Sequence, residues 1–120
     1  MTVDTWRNYA KCFATSGEER RQLMSAHLSP TVVYRDPSTE VHGHDAFAEE
    51  MDRMQARFPG YTFEVFAVDA HHDRSVARWR LLDPDGNHLA NGMSHAIHDG
   101  DGRLADITGF YPIAPGTGWR

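Results

Sequence analysis

The chain has 120 residues, with 12 Lys and Arg against 17 Asp and Glu and a formal net charge of −5 at pH 7. That length predicts one domain, large enough to hold a hydrophobic core without disulfide or metal staples. Acids outnumber bases and Arg53, Arg57, Arg78 and Arg80 are spread among acids, which argues against a nucleic-acid partner, whose phosphates call for a massed basic face. The start, Met-Thr-Val-Asp-Thr-Trp, has no basic stretch ahead of an apolar run, so neither a signal peptide nor a membrane span is expected. The single cysteine, Cys12, excludes an internal disulfide framework, fits a reducing cytoplasmic compartment and reads as a small buried hydrophobe.

In chain order, Trp6, Tyr9, Ala10 and Phe13 recur at helical spacing within residues 3–15, and Ser16-Gly17 interrupts them. Residues 18–28 place Leu23, Met24, His27 and Leu28 on one side, which predicts a second helix closed by Pro30. A β-prone run over 31–35 ends at Asp36-Pro37, a pair that initiates turns, and Gly43 releases the chain into a third helix. Phe47, Met51, Met54 and Phe58 form its stripe, and Pro59-Gly60 stops it. Four strands are expected over 61–72, 74–82, 87–98 and 103–111. Asp83-Pro84-Asp85-Gly86 and Asp99-Gly100-Asp101-Gly102 supply the turn chemistry of an antiparallel meander.

Helices first and a sheet afterwards make an α+β domain, with three N-terminal helices packed on one face of a strongly curved, mostly antiparallel sheet. The domain is expected over 1–112 and a loose tail over 113–120. Alternation puts Phe66, Val68, Leu104 and Phe110 on the outer face, where a homodimer would cover them.

Asp36 is the residue with two readings. It either caps its own turn through the backbone, as Asx residues commonly do, or stands in the wall of a pocket as a general base. His42-x-His44, His71-His72 and His95-x-x-His98 invite a metal, but a strand sends neighbouring histidines to opposite faces and no carboxylate completes a ligand set, so no metal is expected. His44 starts the third helix, from which it could swing toward Asp36.

Several motifs together carry a family resemblance: Tyr34-Arg35-Asp36-Pro37 followed by Gly43, Phe58-Pro59-Gly60-Tyr61-Thr62-Phe63, Arg78-Trp79-Arg80-Leu81, and Asp101-Gly102-Arg103-Leu104 leading to Gly109-Phe110-Tyr111. The chain resembles the SnoaL-like group of the nuclear transport factor 2-like superfamily, with ketosteroid isomerase, limonene epoxide hydrolase and polyketide cyclases among its members. The resemblance implies a cone, in which the curved sheet encloses an apolar pocket. It also implies that Asp36 matches the proton-shuttling acid of ketosteroid isomerase, an enzyme in which an aspartate base works with an oxyanion hole. The second acid of that enzyme falls on Ser94, its first-helix tyrosine next to Tyr9, and another pocket tyrosine on Met51. The last-strand acid of the epoxide hydrolase branch falls on Gly109, and Asp106 alternates to the opposite face. A steroid isomerase is therefore not predicted.

The resemblance implies a cofactor-free enzyme that abstracts a proton beside a carbonyl of a small hydrophobic molecule, by isomerisation, cyclisation or dehydration. Asp36, Tyr9, Ser94 and His44 are the catalytic candidates. Trp6, Phe13, Tyr34, Phe47, Met51, Trp79, Ile107 and Tyr111 are the substrate-binding candidates. The other reading is a non-catalytic ligand-binding or protein-interaction domain of the same fold.

Overall fold

The computed structural model describes residues 2–111. Helix α1, Thr2–Lys11, buries Trp6 and Tyr9 on the stripe that its spacing predicts. It tightens into a 3-10 turn, Cys12–Ala14, instead of continuing to residue 15. Helix α2 runs Gly17–His27. Strand β1, Leu28–Asp36, then starts at once, so Pro30 stands inside a strand rather than closing a helix. The pairing of β1 breaks register between Leu28 and Val33, the kind of irregularity in which a residue without an N–H is tolerated. Strand β2, Thr39–His42, was not expected from the sequence. Helix α3, Gly43–Arg57, follows, and the sheet is completed by β3 Thr62–His71, β4 Arg74–Leu82, β5 His88–His98 and β6 Leu104–Phe110.

The strand order is β2-β1-β6-β5-β4-β3. Strands β3 to β6 form the expected meander, β2 is antiparallel to β1, and β1 pairs parallel with β6. The hairpins close through their aspartates. Asp83 Oδ1 accepts from the N–H groups of Asp85 and Asn87, and Asp99 Oδ1 from those of Asp101 and Arg103, which is Asx-turn chemistry. At the β2–α3 junction Gly43 has φ +84°, a conformation that costs little without a Cβ.

Three helices thus pack on a curled six-stranded sheet, an α+β cone. Leu28, Val32, Phe47, Met51, Ala77, Ala96, Leu104 and Ile107 are fully enclosed, each of the larger ones contributing roughly 1.5–3 kcal/mol by leaving water. Arg20 of α2 is buried among them. Its guanidinium donates to the carbonyls of Cys12, Thr15 and Ala48 and to Asp52 at 2.7 Å, tying the 3-10 turn to α3.

The outer face differs from expectation. Phe66 and Phe110 are exposed, but Leu104 is fully buried and Val68 packs against the core. Two bulges explain this. Phe66 is skipped in the β3–β4 ladder, so Val68 pairs with buried Ala77. Ala105 is skipped in the β5–β6 ladder, so Leu104 shares the inner face with Ile107. An extra residue reverses the alternation beyond it. Pro112 and the tail expected over 113–120 lie outside the described residues.

Candidate functional site

Alternation along β1 sends Tyr34 and Asp36 inward and Arg35 outward. Arg35 pairs with Glu40 at 2.7 Å and Asp106 at 2.9 Å on the outer side, so it does not neutralise Asp36. The Asp36 carboxylate is divided between two tasks. Its Oδ1 accepts from the Ser38 N–H at 2.9 Å and the Ser38 hydroxyl at 3.0 Å, and its Oδ2 accepts from the Tyr34 hydroxyl at 2.7 Å. Because the Ser38 hydroxyl hydrogen is used on Asp36, the Tyr111 hydroxyl, 3.3 Å away, is the donor to Ser38 Oγ.

Asp36 lines the outer of two joined spaces inside the cone. This outer cavity has a volume of about 380 Å³ and is walled by Tyr34, Ser38, Glu50, Met54, Arg57 and Phe58 together with Phe63, Trp79, Leu81, Ala90 and Tyr111. Behind it lies an inner chamber of about 40 Å³, into which Trp6, Tyr9, Ala10, Phe13, Val65, Ser94 and Gly109 look. Trp6, Tyr9 and Phe13 meet edge to face at 5.5–5.8 Å centroid separations, a geometry that aromatic pairs prefer. Burial pushes the Tyr9 hydroxyl well above its ordinary pKa, helped by the nearby Cys12 and Asp36. Burial does the same to Tyr34, and to a lesser degree to Tyr111. All three are therefore neutral hydrogen-bond donors near neutral pH.

Of the sequence candidates, the structure brings Asp36, Tyr9, Ser94, Trp6, Phe13, Tyr34, Trp79 and Tyr111 to these two spaces. Four others stand elsewhere. His44 turns away from Asp36, its Nε2 lying 3.0 Å from the Ser29 carbonyl and 3.3 Å from that of Leu28, so it ties the start of α3 to the start of β1. Phe47, Met51 and Ile107 are fully buried behind the lining. Phe47 stacks on Tyr34 at 4.6 Å and supports it from behind.

Ser94 is also partly engaged. It accepts from Trp79 Nε1 at 3.1 Å, which leaves its own O–H to donate. A Cβ built on Gly109 would lie 3.5 Å from Ser94 Oγ and 3.7 Å from the Asp36 Cβ. Of the two places where relatives were expected to carry acids, Gly109 thus lies between Ser94 and Asp36 and offers no side chain, and Ser94 offers a hydroxyl.

Sequence reasoning missed Glu50. It is 9% exposed, lines the outer cavity, and accepts from Arg53 at 2.8 and 3.0 Å. The signal was present, because Glu50 lies three residues after Phe47 and four before Met54, a charge inside an apolar stripe. Among the described residues no three His, Cys, Asp or Glu side chains converge as a metal-binding group. Nor is any described helix long and apolar enough to cross a membrane.

A curled sheet wrapped by helices around a cavity, with an acid at the end of the first strand, defines a protein of the nuclear transport factor 2-like class. The sequence model of the SnoaL-like domain matches residues 7–107, and the chain belongs to the SnoaL-like family. It is similar to a SnoaL-like family protein from Agrobacterium tumefaciens, provisionally assigned as an isomerase, at 26% identity over 92% of this chain and 96% of that one, with a TM-score of 0.84. A SnoaL-like protein from Jannaschia sp. CCS1, provisionally assigned as a polyketide cyclase, shares the fold at 18% identity over 91% and 83%, TM-score 0.71. A protein from Sinorhizobium meliloti with the same provisional assignment does so at 15% identity over 91% and 98%, TM-score 0.70. No curated protein matches the chain.

Proposed function

We propose that the protein is a cofactor-independent acid–base enzyme acting beside a carbonyl of a small hydrophobic metabolite, polyketide-like or terpenoid-like. The observation that carries this reading is the position of Asp36, whose carboxylate lines the outer cavity and is oriented there by Tyr34 and Ser38. In the proposed step the C–H bond next to the carbonyl breaks and its proton passes to Asp36. The C–H pair becomes the C=C bond of an enolate and the C=O π pair moves to the carbonyl oxygen, where the un-ionised Tyr9 hydroxyl, or that of Ser94, donates to the developing oxyanion. Return of the proton to another carbon completes an isomerisation, and its transfer to a departing hydroxyl completes a dehydration. Attack of the enol carbon on a second carbonyl completes a cyclisation.

The test is turnover of enolisable carbonyl compounds by the wild type and by Asp36→Asn. A general base contributes typically 10²–10⁴-fold, so kcat should fall by roughly that factor while binding of an unreactive analogue changes little. Unchanged kcat in the variant removes Asp36 from the chemistry.

A second reading, a ligand-binding domain without catalysis, is favoured by one specific feature. The Asp36 carboxylate already accepts three hydrogen bonds from the chain, which occupy oxygen lone pairs that a substrate proton would otherwise meet, and neither Ser94 nor Gly109 supplies a second acid. On that reading no carbonyl substrate turns over, and Asp36→Asn alters only affinity.

A further inference from the structure

Tyr34, Phe63, Trp79 and Tyr111 line both the inner chamber and the outer cavity, so they form the neck between the two. Trp79 is fixed from three sides. Phe63 meets it edge-on at 5.1 Å and 89°. Its Nε1 donates to Ser94 Oγ at 3.1 Å. Below it lies Gly92, its register partner across β4 and β5, so close that a Cβ at that position would come within 2.0 Å of the indole ring. Only glycine lets the ring lie there, because a separation under about 3 Å between non-bonded carbons is steeply repulsive. The indole is thereby laid along β5 from Gly92 to Ser94.

The spaces on its two sides are very unequal, about 40 Å³ inside and about 380 Å³ outside. At roughly 10–15 Å³ for each water held, the inner chamber takes about three waters or a group of one or two carbons.

We infer that Trp79, laid over Gly92 and tied to Ser94, is the specificity-determining residue of the cavity, keeping the body of the ligand in the outer space and admitting only a short substituent to the inner one. In naming the ligand this rests on the proposed carbonyl chemistry. The ligand class is a carbonyl compound with a broad apolar body and a short arm, the carbonyl standing at the neck between Asp36 and Tyr9. Trp79 acts by shape, and its hydrogen bond to Ser94 serves to hold that shape.

Equilibrium binding of a homologous set of 2-naphthyl ketones, with methyl, propyl and pentyl arms, tests it by titration calorimetry on the intact chain. On this inference the bicyclic head stays in the outer space and the arm alone passes the neck. In the wild type the propyl and pentyl ketones should bind no tighter than the methyl ketone. In Trp79→Ala the two spaces merge, and the pentyl ketone should gain at least about tenfold over the methyl ketone, since each newly buried methylene adds to affinity. Trp79→Phe, which keeps a ring but loses the bond to Ser94, should move the same ratio part of the way and stands in if the alanine variant does not fold. Affinity that rises steadily with arm length in the wild type, or the same ratio in a folded variant as in the wild type, would overturn the inference. Binding needs no turnover, so the two readings fail separately. Lost turnover in Asp36→Asn with an unmoved arm-length ratio removes the gate and keeps the base, and the reverse pair of results removes the base and keeps the gate.

Discussion

Asp36 shows how one carboxylate can be divided between a turn and a cavity wall. Oδ1 caps the turn through Ser38, and Oδ2 faces the cavity through Tyr34, because a residue at the last position of a strand is within reach of the following turn and of the strand's inner face. Cys12 reads from the sequence as a small buried hydrophobe. It is fully buried, with Sγ 3.7 Å from the Asn8 carbonyl. Burial pushes its thiol up to about 12 from an ordinary 9.0. Its folded pKa is therefore raised, so its contribution to stability is fully present below pH 9 and is lost as pH climbs toward 12. Urea unfolding of the wild type and Cys12→Ala between pH 8 and pH 11 should show the wild type losing stability faster above pH 9, by up to about 1.4 kcal/mol per pH unit. Parallel curves would mean that the thiol titrates in the folded protein as it does in the unfolded chain.

At the scale of elements, the periodic stripes and the two Asx turns predict where helices and hairpins lie. They do not predict what joins the elements. Arg20 sits on a highly charged helix and reads as solvated, yet the structure spends its guanidinium on three carbonyls from the 3-10 turn, the segment after it and α3. Two of those acceptors lie across the α1–α2 junction and Ala48 lies 28 residues on, so no helical period marks them. Arg20→Met should destabilise the protein by about 2–4 kcal/mol in chemical denaturation, because the buried carbonyls lose their donor, while Asp52 is largely solvated already. A loss below about 1 kcal/mol would mean that water replaces the guanidinium. Strand β2 escaped notice for a related reason, since four residues, Thr39–His42, carry no readable period and form a strand only by pairing with β1.

For the molecule as a whole, the outer sheet face retains two exposed aromatics, Phe66 at 42% and Phe110 at 45%. Arg80 lies 3.9 Å over the Phe66 ring and covers part of it. We read this face as the contact of a homodimer, now centred on Phe66 and Phe110 without Val68 and Leu104. Light scattering should then give about twice the 13.6 kDa chain mass for the wild type, and Phe110→Glu should return it to the single-chain mass by burying a charge against an apolar surface. A wild type that is monomeric at micromolar concentration excludes the homodimer.

The sequence by itself determined the stripes of the three helices, the stop after α3, the hairpin turns and the meander, and it marked the turn at Asp36-Pro37 without deciding which way the acid faces. Each of these follows from interactions among residues a few positions apart. Only the tertiary structure decided which residues face the cavity. The bulges at Phe66 and Ala105 reversed two alternations, α3 packing sent Glu50 inward and left Met51 behind the lining, and His44 went to the β1 carbonyls instead of Asp36. The glycine that seats Trp79 is likewise invisible until β4 and β5 are in register. Register and packing are set by contacts between distant segments, and a slip of one residue in either turns a wall residue into a surface one.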